Sequence, residues 1–264
     1  MLKKIIHITG WLLVLAYMVV ALGFTNKKSE EVKCRNIKVL IKNPDHSFIE
    51  KEDVPLLFDA HKIQPKGMYL STINLEKLES LLYTHPAVKK AEVYKNIDGT
   101  LTVDLCQRNP IIRIMNKKGA GYYIDEDGKI MPLSEKYTAH VIIVNGEINE
   151  SFDKNLKKNF SIPADGDLSR DSMLNDLFTL GKYIWENEFW KAQIEQIYIN
   201  NNREIELIPR LGAQSIIFGT AESIEEKFFK LESLYKYGLN NVGWKKYKTI
   251  NIKFKNQVIC TKIE

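Results

Sequence analysis

Acidic residues gathered at two places are the first groups in this sequence whose types and spacing could do chemistry. Asp125, Glu126 and Asp127 stand together ahead of Gly128, and neighbouring carboxylates are what general acid–base catalysis asks for. Asp165, Asp167, Ser169 and Asp171 occupy alternate positions, as oxygen ligands do in a calcium loop. Each set has a plainer reading. Asp-Gly is the strongest short hairpin signal, so Asp125 to Gly128 reads as a turn. A calcium loop needs glycine at its sixth position and glutamate at its twelfth, and here those are Arg170 and Asp176. The Asp and Ser residues suit the N-terminal cap of a following helix.

Other reactive residues do not converge. His7, His46, His61, His85 and His140 are scattered, with no H-E-x-x-H or H-x-H spacing. Neither a G-x-S-x-G elbow nor a Gly-rich phosphate loop occurs. Cys34, Cys106 and Cys260 are far apart and form no C-x-x-C. That spacing argues against a zinc site, a thioredoxin-like motif and a disulfide scaffold. Cys106, inside a strand pattern, reads as a small buried hydrophobe. Trp244-Lys245-Lys246-Tyr247-Lys248 reads as a solvated connection with a packed tryptophan, and secondarily as a membrane-surface or anionic-glycan contact. No catalytic, cofactor-binding or metal-binding residue is expected. The net charge is +5, and setting aside Lys3 and Lys4 (5 − 2) leaves +3. That is too small and too scattered for a nucleic-acid face.

A chain of 264 residues with 44% hydrophobic and 27% charged residues has material for one large or two modest folded domains. Residues 1–4 form a short basic head. Ile5 to Phe24, free of Asp, Glu, Lys and Arg, is long enough for a transmembrane helix. A signal peptide is the alternative, with Ala21-x-Gly23 as its cleavage site, although its apolar core would be shorter. Lys27, Lys28, Lys33 and Arg35 after the span outnumber Lys3 and Lys4 before it. Charge alone therefore does not fix the orientation, because long domains translocate regardless of it.

After a linker, 25–33, residues 34–108 read as strand, helix, helix, strand, strand. Ile37, Val39 and Ile41 alternate in the first strand. Phe48 to Ala60 is expected to be a helix kinked at Pro55. Ile73, Leu75, Leu78, Leu81 and Leu82 form the stripe of a second helix, ended by His85-Pro86. A hairpin follows through Val88, Ala91 and Val93, the Asp98-Gly99 turn, and Leu101, Val103 and Leu105. Residues 109–264 hold strands at 111–115, 122–124, 129–133 and 140–144 and a helix over 170–185. Further strands cover 194–199, 203–208 and 214–218. Ser223-x-x-Glu226 reads as a capping box for a last helix ending at Gly238, ahead of two terminal strands, 249–254 and 258–263.

The blocks HPAVKKAEV (85–93), QRNP (107–110), YYIDEDGKIMPL (122–133) and YKTINIKFKNQVICTK (247–262) resemble the FtsQ/DivIB cell-division proteins. The resemblance covers nearly the whole chain. Asn251, Ile252, Lys253 and Phe254 replace the family's usual Asp-Leu-Arg-Tyr. It implies an α+β protein with a single N-terminal transmembrane helix, a POTRA domain (34–108) and an FtsQ-type mixed β-sheet domain with flanking helices (109–264). It further implies a non-enzymatic divisome scaffold of the bacterial cytoplasmic membrane, body extracytoplasmic, at the septum. Its partners would be FtsB- and FtsL-like proteins at the C-terminal strand and other divisome proteins at POTRA. The POTRA unit would dock through its sheet edge, since a three-stranded sheet leaves edge groups available, or through its exposed helix surface. A POTRA-bearing secretion or assembly component, and a cell-envelope enzyme, are the competing classes.

In the last strand Val258 and Cys260 share one face while Ile259 and Ile263 share the other, so neither face is polar. Either both faces are covered within the domain or one awaits a partner. Capture of a strand along Gln257, Val258, Ile259, Cys260, Thr261 and Lys262, with Phe254 nearby and Ile259 as the apolar contact, is the expectation.

Overall fold

The computed structural model describes residues 7, 9–20, 32–43, 47–148, 172–212 and 214–263. The chain divides into two compact units, Met1–Gln107 and Arg108–Glu264. Residues 9–20 are helical and exposed. Among the described residues no helix is long and apolar enough to cross a membrane, and the rest of the expected 5–24 span lies outside them. The alternating acidic residues 165–171 lie outside them too.

The first unit runs β1 (Asn36–Ile41), α1 (Asp53–Ala60), α2 (Leu75–Leu82), β2 (Val88–Lys95) and β3 (Thr100–Gln107). Its sheet has the order β1-β3-β2, with β1 parallel to β3 and β2 antiparallel to it. Alternation puts Val39, Ala91, Val93, Leu101, Val103 and Leu105 into one core with Val54 and Phe58 of α1 and Leu78, Leu81 and Leu82 of α2. Asn74 starts α2 by accepting the Lys77 amide at 2.9 Å. The irregularity at Lys89 and Lys90 is a bulge between Val88 and Lys90.

Two expectations for α1 need correction. The helix begins at Asp53, not Phe48. Phe48 and Ile49 are buried in the bend before it, where the Ile49 amide donates to Gln107 Oε1 at 3.0 Å. Pro55 is then the third residue of the helix, where an amide has no helical acceptor to lose, so no break occurs.

The second unit is built on one nine-stranded mixed sheet, β12-β11-β10-β9-β8-β7-β4-β5-β6. Its first strands are β4 (Pro110–Met115), β5 (Gly121–Asp125), β6 (Ile130–Pro132) and β7 (Ile142–Gly146). Helices α3 (Ser172–Glu186) and α4 (Glu188–Gln193) lead to β8 (Ile194–Ile199), β9 (Ile205–Pro209) and β10 (Ser215–Gly219). Helix α5 (Ile224–Ser233) precedes β11 (Tyr247–Asn251) and β12 (Ile259–Lys262). Strand β7 is parallel to β4 and β8, and β10 is parallel to β11. Ile112, Val144, Ile197, Leu207, Ile216 and Ile250 form a core with Leu177, Leu180, Ile184, Phe228 and Leu231 from the helices. One end of the sheet, β6, has three residues and finishes on Pro132; the other end is β12.

Helix α5 corrects two readings. Ser223 has φ 51° and ψ 44°, left-handed, and its side chain makes no cap bond, so no capping box forms. Gly238 does not end the helix. The chain continues through a π-helical turn, Leu234–Leu239, and a last turn, Asn240–Val242, and stops at Gly243 with φ 95°. Gly238 serves packing within the wide turn, because a Cβ there would meet Leu234 Cδ1 at 2.7 Å. Tyr235, tilted against Trp190 and edge-on to Trp244 with ring centroids 5.9 and 4.9 Å away, ties that turn to the core.

Candidate functional site

The terminal hairpin carries the residues expected to bind a partner. Strand β11 lies parallel to β10 through Ser215, Ile216 and Ile217. Ile250 and Ile252 anchor it, each wholly buried. Strand β12 pairs antiparallel with β11, Ile250 opposite Cys260 and Asn251 opposite Ile259. Since β12 ends the sheet, its outer backbone groups face no described strand.

Val258 and Cys260 are half-buried against the core, and burial pushes the Cys260 thiol pKa up. Ile259 is 45% exposed and Ile263 50%, so the opposite face is left apolar and open. Gln257, Thr261 and Lys262 are exposed. The hairpin turn has Asn256 at φ 61°. Lys230 of α5 holds it by donating to the carbonyls of Ile252 at 3.1 Å and Phe254 at 2.6 Å. Lys253 pairs with Glu204 at 3.1 Å and lies over the Phe254 ring. Of the residues singled out from sequence, Ile259, Cys260, Thr261 and Lys262 form β12, Gln257 and Val258 lead into it, and Phe254 lies before the turn. Lys230 and Glu204, distant in sequence, carry no local signal of their role in holding the hairpin.

The acidic turn is structural. Asp125 is fully buried and its Oδ1 accepts the amides of Asp127 at 3.0 Å and Lys129 at 2.7 Å. Its Oδ2 accepts Arg108 Nη1 at 2.8 Å. Every oxygen is thus engaged in holding β5, β6 and the start of the unit together, as a buried carboxylate requires.

A family model described as "FtsQ/DivIB, C-terminal related" matches residues 109–261, more than half of the chain. The chain belongs to the FtsQ/DivIB family. A POTRA-like domain model matches residues 32–106. No curated protein matches the chain. FtsQ/DivIB proteins are a non-enzymatic division-scaffold family, which directs attention to edges and surfaces.

The edges of this FtsQ/DivIB protein are not equivalent. In the POTRA-like unit, β2 is an edge strand, but side chains of the α2 segment cover part of it. Glu79 Oε1 accepts the Val93 amide at 2.8 Å, and Tyr83 Oη accepts the Ala91 amide at 3.2 Å. The expectation of an open POTRA edge is thus corrected for β2, where a carboxylate and a phenol occupy the positions a docking strand would use. Strand β1 forms the other edge.

Proposed function

We propose that this chain is a single-pass scaffold of the bacterial cytoplasmic membrane that works at the division septum without catalysis. Its 5–24 segment anchors it, and the two folded units stand outside the membrane. The POTRA-like unit docks other divisome proteins, and the second unit captures FtsB- and FtsL-like proteins, linking early division components to septal peptidoglycan synthesis. Capture proceeds by strand addition along Gln257 to Lys262, with Phe254 at the turn and Ile259 as the apolar contact. One observation carries this reading: β12 ends a nine-stranded sheet while Ile259 stays 45% exposed. A strand added there would pair with backbone groups that face no described strand, and would cover Ile259.

Ile259→Glu in the full chain is the test. An exposed position accepts the charge, so the melting temperature stays at the wild-type value while a tagged FtsB-like partner is lost from the pull-down. Retained binding at a normal melting temperature would refute capture at this edge. Depletion in cells should give filaments, and normal division on depletion would remove the scaffold role itself.

A further inference from the structure

Away from the terminal hairpin, the second unit has a cavity of about 240 Å³ at the starts of β7 and β8. Its walls are partly apolar, from Ile142, Ile143 and Ile194, with the Trp185 ring alongside. Arg113, His140, Lys191 and Arg210 also line it, against a single carboxylate, Glu195. The topology gathers them. Arg113 of β4 sits beside Ile143 of β7, and Pro209, preceding Arg210, lies opposite Ile194 of β8.

These cations are not engaged as surface cations usually are. Among the described residues, the ion pairs of this unit join Arg108, Lys117, Lys182, Lys236 and Lys253 to their carboxylates. Arg113, Lys191 and Arg210 enter none. Arg113 lies over the Tyr123 ring at 5.7 Å, and Lys191 over Trp185 at 3.4 Å. The Arg113 Nε is buried and has no hydrogen-bond acceptor among the described residues. The sealed Nε is out of reach of a ligand, but an oxyanion in the cavity would give the remaining Arg113 donors, Lys191 and Arg210 the counter-charge that no ion pair supplies.

We propose that this cavity binds a carboxylate carried on a small apolar body, the size of one amino acid with a free chain end. The planar fork of arginine matches a carboxylate. The isoleucines and Trp185 suit a hydrocarbon side chain. Glu195 at the wall disfavours a doubly charged group. The volume lies below the range of about 300–1,000 Å³ typical of larger ligands, so it admits one residue and not a long segment.

The test uses the full-length protein in detergent micelles, labelled with 5-fluorotryptophan. The chain has 4 tryptophans, and Trp185→Phe assigns the reporting fluorine line. N-acetylleucine is the probe, with N-acetylleucinamide and inorganic phosphate as the other arms. The expected result is a saturable movement of the Trp185 line with N-acetylleucine alone, weakened about tenfold or more by Arg113→Gln and by Arg210→Gln. Arg210 is exposed, so its variant remains decisive should Arg113→Gln lower the melting temperature. No saturable movement, equal movement by the amide, movement by phosphate, or undiminished binding in Arg210→Gln would each overturn the site.

Discussion

Glu79 of α2 accepts the backbone amide of Val93 at 2.8 Å, so a helix carboxylate takes the place of a fourth strand beside β2. Glu79→Ala exposes that amide. We expect a loss of about 1–2 kcal/mol from the POTRA-like unit and faster hydrogen exchange over Val88–Lys95. Exchange unchanged at Val93 would mean that the contact does not protect the edge.

Arg108 and Asp125 form a buried pair, their side chains 13% and 0% exposed. Arg108→Met leaves the carboxylate without its counter-charge. The second unit should lose about 3–5 kcal/mol, read as a lower urea midpoint by tryptophan fluorescence. A midpoint shift well under 1 kcal/mol equivalent would contradict the pinning role given to this turn.

Tyr235 gives an alkaline signature. Burial pushes its pKa from 10.0 up to about 12. In the unfolded chain the phenol ionises first, so between those values the folded state holds the proton that the unfolded state has released. Stability therefore falls as pH rises through this window. Tyr235→Phe should flatten the fall. At neutral pH the variant should melt at or slightly above wild type, because the buried hydroxyl has no hydrogen-bond partner among the described residues. An alkaline limb as steep as wild type would assign the effect elsewhere.

Gly146 ends β7 with φ 108°, and a Cβ there would run into the Ile199 carbonyl of β8. Gly146→Ala combines a left-handed backbone with a backbone clash. We expect it to cost at least about 3 kcal/mol, measured as the urea midpoint of the second unit. A near-normal midpoint would show that β7 and β8 can separate freely at this end.

Legibility in the sequence followed the range of the forces. The β2–β3 hairpin was readable because Leu101, Val103 and Leu105 alternate around a Gly turn, a pattern set by neighbours. Strands β4, β5, β6, β8 and β9 fall within a residue or two of their expected spans, whereas β7 is Ile142–Gly146 and not 140–144, running through the Asn145-Gly146 expected to close it. Errors fell where tertiary packing overrode a local signal: Ser223 in a left-handed conformation, Gly238 inside a π-helical turn, Pro55 within a first helical turn. At the terminal hairpin, the two-faced pattern of Val258 to Ile263 and a place at a sheet edge were legible, but the parallel pairing of β11 with β10 was not, because strand order depends on pairing between distant segments. The grouping of Arg113 with Arg210 was hidden likewise: parallel pairing of β7 between β4 and β8 brings those strands together.

The unequal ends of the nine-stranded sheet have a stoichiometric consequence. Strand β6, with three residues and a terminal proline that lacks an amide hydrogen, is a poor template, whereas β12 is not so protected. Growth of the sheet is therefore one-directional. A strand accepted at β12 ends the ladder and does not seed a ribbon of copies joined β12 to β6. Among the described residues of this sheet β12 is the end open to addition, so a complex formed through it should saturate at one partner strand per copy.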